Sequence, residues 1–292
     1  MTRRRFIKTG LIFCPWLVLP HDLVRCSSFL PIPTMDDEAY RWAYSRVPAV
    51  GSVSARTIVA VDTFLKSWKR YGLRGKTARL SLCCGNDLAT SMAAQIIDAG
   101  TTFDSNNFGL ADYSEATGIT GNGSNENITT GLNPNTAAST DSIHMGCYVR
   151  SKTTDVGVIM GTNHSGVGEL AWLVAYGASN VTTFALYNEV GPPYYDDSAS
   201  GVGYYLSSRI ASNDAKGYKN GVQILATTTP TGGIPAPNNL LVHCWNDNTL
   251  SSQAFTSRTI AGYHFGTGFT ATDAANAFKC WDAFNRTLGR NV

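Results

Sequence analysis

The sequence predicts a mainly β protein, an antiparallel sandwich flanked by an N-terminal and a C-terminal helix. Three observations predict it. From about residue 100 apolar and polar residues alternate with a period of two in run after run. Those runs lie 10–20 residues apart with Gly, Asn, Asp and Pro between them. One pair of runs meets at Asn220-Gly221 in "KGYKNGVQILATT", the dipeptide that best suits a type I′ hairpin turn, because both central residues take positive φ. With 292 residues, 43% apolar and 28 of them glycine, the chain is long enough to bury one large β core.

In chain order, residues 1–28 read as a leader. Thr2-Arg3-Arg4-Arg5-Phe6-Ile7-Lys8 resembles the twin-arginine export motif of bacteria, and Leu11 to Leu19 is about as long as a signal h-region. No A-x-A site follows it. This reading implies export to the periplasm, cell surface or exterior, after folding in a reducing cytoplasm, and no membrane association once the leader is gone. A virion is the alternative location. Residues 29–99 are a linker, with Pro31, Pro33 and Pro48, and then a helical segment. In "SVSARTIVAVDTFLKSWKRYGL" Ser52 or Ser54 caps a helix, Ile58, Val61, Leu65 and Trp68 form its apolar stripe, and Gly72 ends it. Lys66, Lys69 and Arg70 fall in its last turn, where a solvated helix end explains them more simply than an anionic partner does. "ARLSLCCGNDLATSM" predicts a strand, a turn and a short helix.

Residues 100–268 form the sandwich. In "SIHMGCYVRS" Ile143, Met145, Cys147 and Val149 face one way, with His144, Tyr148 and Arg150 opposite. In "DVGVIMG" Val156, Val158 and Met160 alternate with Gly157 and Ile159. "ELAWLVAYG", "VTTFALYN", "GYYLSSRIAS", "NLLVHCWN" and "TIAGYHFG" continue the series. Strands apolar on both faces belong between packed sheets or under the terminal helices. Residues 269–292 are the closing helix. Thr270 caps it, Asp273 stands three residues on, Ala274, Ala277, Trp281, Phe284 and Leu288 line one face, and Gly289 stops it.

Charge excludes one class of partner. Residues 1–79 carry 14 Lys/Arg against 5 Asp/Glu, and the remainder 9 against 16. The β region is acidic and so unsuited to nucleic acid, whose phosphates need clustered cations. The seven cysteines include no C-x-x-C pair, which argues against a disulfide framework or a zinc site, and Cys147 and Cys244 read as small buried apolar residues.

A strand, Tyr218-Lys219-Asn220-Gly221 and a returning strand together resemble the concanavalin A-like or laminin-G-like jelly roll. Four stretches resemble a narrower, largely uncharacterised group of bacterial and bacteriophage-encoded proteins on that fold: "WKRYGL", "DYSEATGITGNGSNENITTGLNPNT", "DSIHMGCYVRS" and "AGYHFGTGFTATDAANAFKCWDAFNRTLGRNV". The resemblance covers roughly residues 40–292. It implies a jelly-roll fold and glycan or protein recognition through loops, and it admits calcium, which lectin-like jelly rolls often use.

Catalytic patterns are weak. Retaining glucanases of this fold set two carboxylates on one strand as E-x-D-x-x-E, about 5–5.5 Å apart. Here Glu115, Glu126, Glu169 and Glu189 are followed two residues on by Thr, Ile, Ala and Gly. Ser165 beside His164 lacks a G-x-S-x-G context. His144, His243 and His264 sit in strand runs, where a histidine is more often hydrogen-bonded structure than a base. The reading is therefore a non-enzymatic module that binds a glycan or a protein partner through its loops, with a structural subunit of a phage particle or surface assembly, in a homo-oligomer or virion, as the alternative and a divergent glycoside hydrolase as the second. The candidate ligand residues are Tyr194, Tyr195, Asp196, Asp197, Asn163, His164 and Asn246, aromatic rings and amides of the sort sugars need, although turns use the same residues. A partial calcium-loop pattern in "DSNNFGLADYSE" nominates Asp104, Asn106, Asp112 and Glu115, with Phe108 at a ligand position and no clear helix before it. No other cofactor is expected.

Overall fold

A computed structural model describes residues 35–151, 153, 155, 157–162, 171–176, 181–186, 194–196, 201–230, 238–246 and 252–292, with backbone alone at 171–176, 181–183, 194–196, 252 and 253. The leader lies outside these residues. Two nine-stranded sheets account for the described strands. The helices are α1 (Asp37–Arg41), α2 (Ala55–Arg70), α3 (Leu88–Ser91), α4 (Pro134–Ala137) and α5 (Ala271–Leu288).

The first sheet contains β1 (Thr77–Ser81), β2 (Ile96–Ile97), β4 (Tyr113–Ser114), β5 (Gly118–Thr120), β7 (Ile143–Val149), β12 (Gly203–Ala211), β13 (Asp214–Lys219), β14 (Val222–Thr227) and β18 (Thr259–Gly266). Its order is β14-β13-β12-β7-β18-β1-β2, with β5 also on β18 and β4 on β5. The second contains β3 (Ser105–Asn106), β6 (Ile128–Thr129), β8 (Val158–Thr162), β9 (Ala171–Tyr176), β10 (Val181–Leu186), β11 (Tyr194–Asp196), β15 (Leu241–Val242), β16 (Trp245–Asn246) and β17 (Ser252–Gln253). Its order is β11-β10-β9-β8-β15-β6-β3. Pairing is antiparallel except between β16 and β8. The fold is thus mainly β, two sheets with a shared core, as the zigzag predicts.

The alternation in β7 explains the layering. Ile143, Met145, Cys147 and Val149 join the core between the sheets with Ile159, Met160, Tyr205, Tyr263 and Phe265. The opposite face looks onto the helices, where Tyr148 stacks on Trp281 at 6.3 Å and His144 lies 3.8 Å from the Phe269 ring. Every residue of β7 is buried for this reason. Phe64 of α2 meets Trp281 and Phe284 of α5 edge-on at 5.4 and 5.6 Å. The two helices therefore pack on each other and on the back of the first sheet, making a third layer.

Local signals hold in detail at three places. Asn220 and Gly221 have φ of 50° and 75° between β13 and β14, as a type I′ turn requires. The Thr270 hydroxyl accepts from Asp273 N while the Asp273 side chain accepts from Thr270 N, and Gly289 closes α5 at φ 74°. Ser54 caps α2 by accepting from Thr57 N. The α2 stripe differs from expectation. Thr57, Ala60, Val61, Phe64, Leu65 and Trp68 are buried while Ile58 is only half-buried, because α5 docks on the Phe64 side.

Two readings of the N-terminal segment are corrected. Residues 37–49 are helical rather than linker, with Asp36 capping α1 and wider and tighter turns at Trp42–Arg46 and Val47–Ala49. The buried Trp42 indole donates to Ala93 O at 2.9 Å and anchors this segment. In addition, β1 lies inside the first sheet between β18 and β2, so the β architecture starts at Thr77 and not near residue 100. Cys83, Cys84, Cys147 and Cys280 are buried free thiols, and Cys244 is buried as well.

Candidate functional site

Three polar clusters stand out, two buried and one at the surface. Behind the first sheet His144, His264 and Tyr204 form a fully buried row. The carbonyl of Thr267 only accepts, so His144 Nδ1 donates to it at 2.6 Å. His144 Nε2 then accepts from His264 Nδ1 at 2.9 Å, and the Tyr204 hydroxyl donates to His264 Nε2 at 2.8 Å. One hydrogen-bonding scheme satisfies every atom. Burial lowers both imidazoles, His144 to about 3 and His264 well below its ordinary value, with His144 adding to the effect on His264. The row is neutral and serves as packing. Gly146 makes it possible, since a Cβ there would collide with the His264 ring.

Between the sheets, Arg79 and Asp104 form an ion pair that the Tyr263 hydroxyl completes by donating to Asp104. Arg79 also donates to Ala99 O at 3.1 Å and Thr101 O at 2.9 Å. Burial pushes the Asp104 carboxyl up, and Arg79 and Tyr263 pull it down. All three side chains are closed to solvent.

The surface cluster is built by two loops. β3 pairs with β6, and β4 pairs with β5, so the segments 107–112 and 121–127 emerge side by side. Phe108 points down and meets the His243 ring at 5.1 Å. Around it, Asn106 Oδ1 accepts from Phe108 N at 3.1 Å and Asp112 Oδ2 from Gly109 N at 2.7 Å. In the second loop Asn122 Oδ1 accepts from Ser124 N and Asn125 N at 2.8 and 3.1 Å, and its amide donates to Asn125 Oδ1 at 2.7 Å. Asn107 zips the loops together, donating to Asn125 O at 2.7 Å and accepting from Asn127 N at 2.9 Å. Glu126 faces Asp112. Partial burial first, and then the neighbouring Asp112 charge, raise the Glu126 carboxyl. Leu110 stands at the tip, 84% exposed. The result is a preset array of amide and carboxyl groups beside one apolar knob.

The nominated metal residues do not converge. Asp104 belongs to the dry ion pair. Glu115 turns away to accept from Thr57 Oγ1 at 2.7 Å and Gly85 N at 3.1 Å. Asn106 and Asp112 remain at the rim, each holding its own turn, as loop chemistry dictates. Among the described residues no three His, Cys, Asp or Glu are grouped to hold a metal ion. Of the nominated ligand residues, Tyr194, Tyr195 and Asp196 lie on β11, a sheet-edge strand paired with Val181–Thr183, and not in a loop. Asn246 is buried on β16, its amide donating to Asn239 O at 3.4 Å and its Oδ1 without a hydrogen bond. Asp197, Asn163 and His164 fall outside the described residues. Sequence reasoning missed Asn107 and Glu126 as site residues; the Asn-rich run "GNGSNENIT" marks the loop, but pairing it with residues 107–112 needs the sheet register.

No family model matches the chain, and no curated protein matches it. Among solved structures, Trypanosoma rangeli sialidase aligns at TM-score 0.46 and 8% identity over 76% of this chain and 39% of its own. Domain 4 of AbnA, a GH43 extracellular arabinanase from Geobacillus stearothermophilus in complex with arabinotriose, aligns at 0.42 and 13% over 69% and 98%. A botulinum neurotoxin type C structure, described by its interaction with two ganglioside molecules, aligns at 0.36 and 10% over 53% and 39%. The chain spans about two-fifths of the length of the sialidase it matches. Among the described residues no helix is long and apolar enough to cross a membrane. At these scores the likeness is one of partial shape and reaches neither family nor activity.

Proposed function

We propose that the protein is a non-catalytic recognition module that binds a glycan through the rim built by residues 106–112 and 122–127. One observation carries this reading. Asn107, Asn122 and Asn125 hold one another in place while they remain exposed beside Asp112, Glu126 and Leu110. Fixed amides and carboxyls suit the paired donors and acceptors of sugar hydroxyls, and an apolar knob suits a sugar's C–H face. Two titratable clusters, at His144–His264–Tyr204 and Arg79–Asp104–Tyr263, are closed to solvent and fully partnered, which favours recognition over turnover. A concanavalin A-like strand connection, export through the leader and a virion or cell-surface setting belong to the same proposal.

A glycan array probed with the folded protein tests it, together with Asn107→Ala. Binding to a defined class of glycan that the substitution weakens about five-fold or more, as loss of one or two ordered hydrogen bonds does, is the expected result. Uniform silence on the array, or binding indifferent to Asn107→Ala and Glu126→Gln, sinks the rim reading. Hydrolysis of a bound polysaccharide, lost on replacing one acidic residue, establishes a hydrolase instead.

A further inference from the structure

On the far side of the helical layer a groove runs between α2 and α5, with a volume of about 160 Å³. Phe64, Cys280 and Phe284, all buried, form its floor, and Thr63 and Ala283 stand exposed on its lips. An apolar cavity of about 150 Å³ holds one benzene ring, so the space suits a single ring or a short branched chain.

The mouth is charged. Among the lining residues only Arg70 and Lys279 carry charge, and both are exposed. They converge on one ring, Arg70 lying 4.9 Å and Lys279 5.9 Å from the centre of Tyr71. Lys66 and Lys69, beside Arg70 on α2, are neutralised by Asp62 at 2.7 Å and Asp36 at 2.8 Å, while Arg56 at the other end of α2 donates to the Thr287 carbonyl. Arg70 and Lys279 have no carboxylate partner among the described residues. Arg70 donates to the Tyr71 hydroxyl at 3.3 Å and Lys279 to Asn276 Oδ1 at 3.2 Å. Two like charges held over one ring repel each other, and an anion between them removes that cost. Their field also reaches the floor, where both act to lower the Cys280 thiol, although burial outweighs them.

We propose that this groove binds a small amphiphilic anion, its ring or short chain lying against Phe64 and Phe284 and its carboxylate, or a head of the same charge, held between Arg70 and Lys279. The site is separate from the glycan rim and does not depend on it.

Calorimetry and amide NMR on the full chain test it with three matched probes: 4-ethylbenzoate, 4-ethylbenzamide and 4-ethylbenzylamine. The benzoate is expected to bind and to shift amides of residues 63–71 and 279–287. The benzamide should bind about five-fold more weakly, the size of a solvated charge contact, and the benzylamine more weakly still. Salt at roughly 0.5 M should bring benzoate down towards benzamide. The double variant Arg70→Gln, Lys279→Gln should do the same while leaving the melting temperature within about 2 °C, because both side chains are exposed. Ala283→Phe, on the exposed lip, should block all three probes. Equal affinity for benzoate and benzamide, binding that survives Ala283→Phe, or no heat and no shifts at about 10 mM probe would overturn the proposal. So would a dimer in sedimentation that Ala283→Phe dissolves, since the groove would then belong to a second copy.

Discussion

Behind the first sheet His144, His264 and Tyr204 form a hydrogen-bonded row sealed from water, whereas at the rim Asn107, Asn122 and Asn125 form a comparable row in open solvent. In the sealed row each donor has one acceptor, nothing can replace a lost partner, and charge is disfavoured. In the open row water substitutes for any bond that breaks, so the same groups can exchange partners with a ligand at little cost. The comparison teaches that covering layers, more than residue type, decide whether a polar cluster serves stability or recognition.

Acid should separate the two regions most strongly. Burial holds His144 and His243 down to about 3, and His264 well below its ordinary value. Unfolded histidine titrates at about 6.5. The folded pKa values are depressed, so this stabilisation is complete above about pH 6.5 and is lost as pH falls from there towards about 3. Urea midpoints measured from pH 8 to 4 should therefore fall steadily below pH 6.5, and a flat profile would show that the histidines reach water. Asp104→Ala comes next. It strands the Arg79 charge in the core and should cost about 3–5 kcal/mol in urea unfolding. A loss under 1 kcal/mol would mean that the pair is hydrated. Gly146→Ala pushes a methyl group into the His264 ring and should cost about 1–3 kcal/mol, with Tyr204 displaced in tyrosine fluorescence. Thr270→Ala removes the α5 cap and should cost about 1 kcal/mol, read as a lower melting temperature. At the rim, Asn107→Ala should change stability by no more than about 0.5 kcal/mol while weakening glycan binding about five-fold or more. A large loss of stability there would erase the contrast.

Much of this arrangement was legible wherever a signal is local. The α5 capping box needs only Thr270 and Asp273, the hairpin only Asn220 and Gly221, and the two faces of β7 only seven consecutive residues. What was not legible depends on distant partners. Asp104 looks like the first ligand of a calcium loop until Arg79 and Tyr263, 25 and 159 residues away, claim it. Glu115 is taken by Thr57, which belongs to another element. Three prolines suggested a linker before α2, but Trp42 has a buried socket under Ala93 that composition does not reveal. Arg70 looked like one of three equivalent helix-end cations. Only the folded chain shows that Lys66 and Lys69 are neutralised nearby while Arg70 faces Lys279 across a groove.

The position of β18 has a consequence for how this chain reaches its native state. It is the seam of the first sheet, with β7 on one side and β1 and β5 on the other, and its register sets Thr77 opposite Gly266. During synthesis β1 must wait until Thr259–Gly266 has been made before its β18 neighbour exists, and until then only the short β2 can pair with it. Such distant closure makes for slow folding, and the nascent chain holds an unpaired apolar edge meanwhile. Production should therefore respond to chaperone supply and to low temperature more than the stability of the finished molecule would suggest.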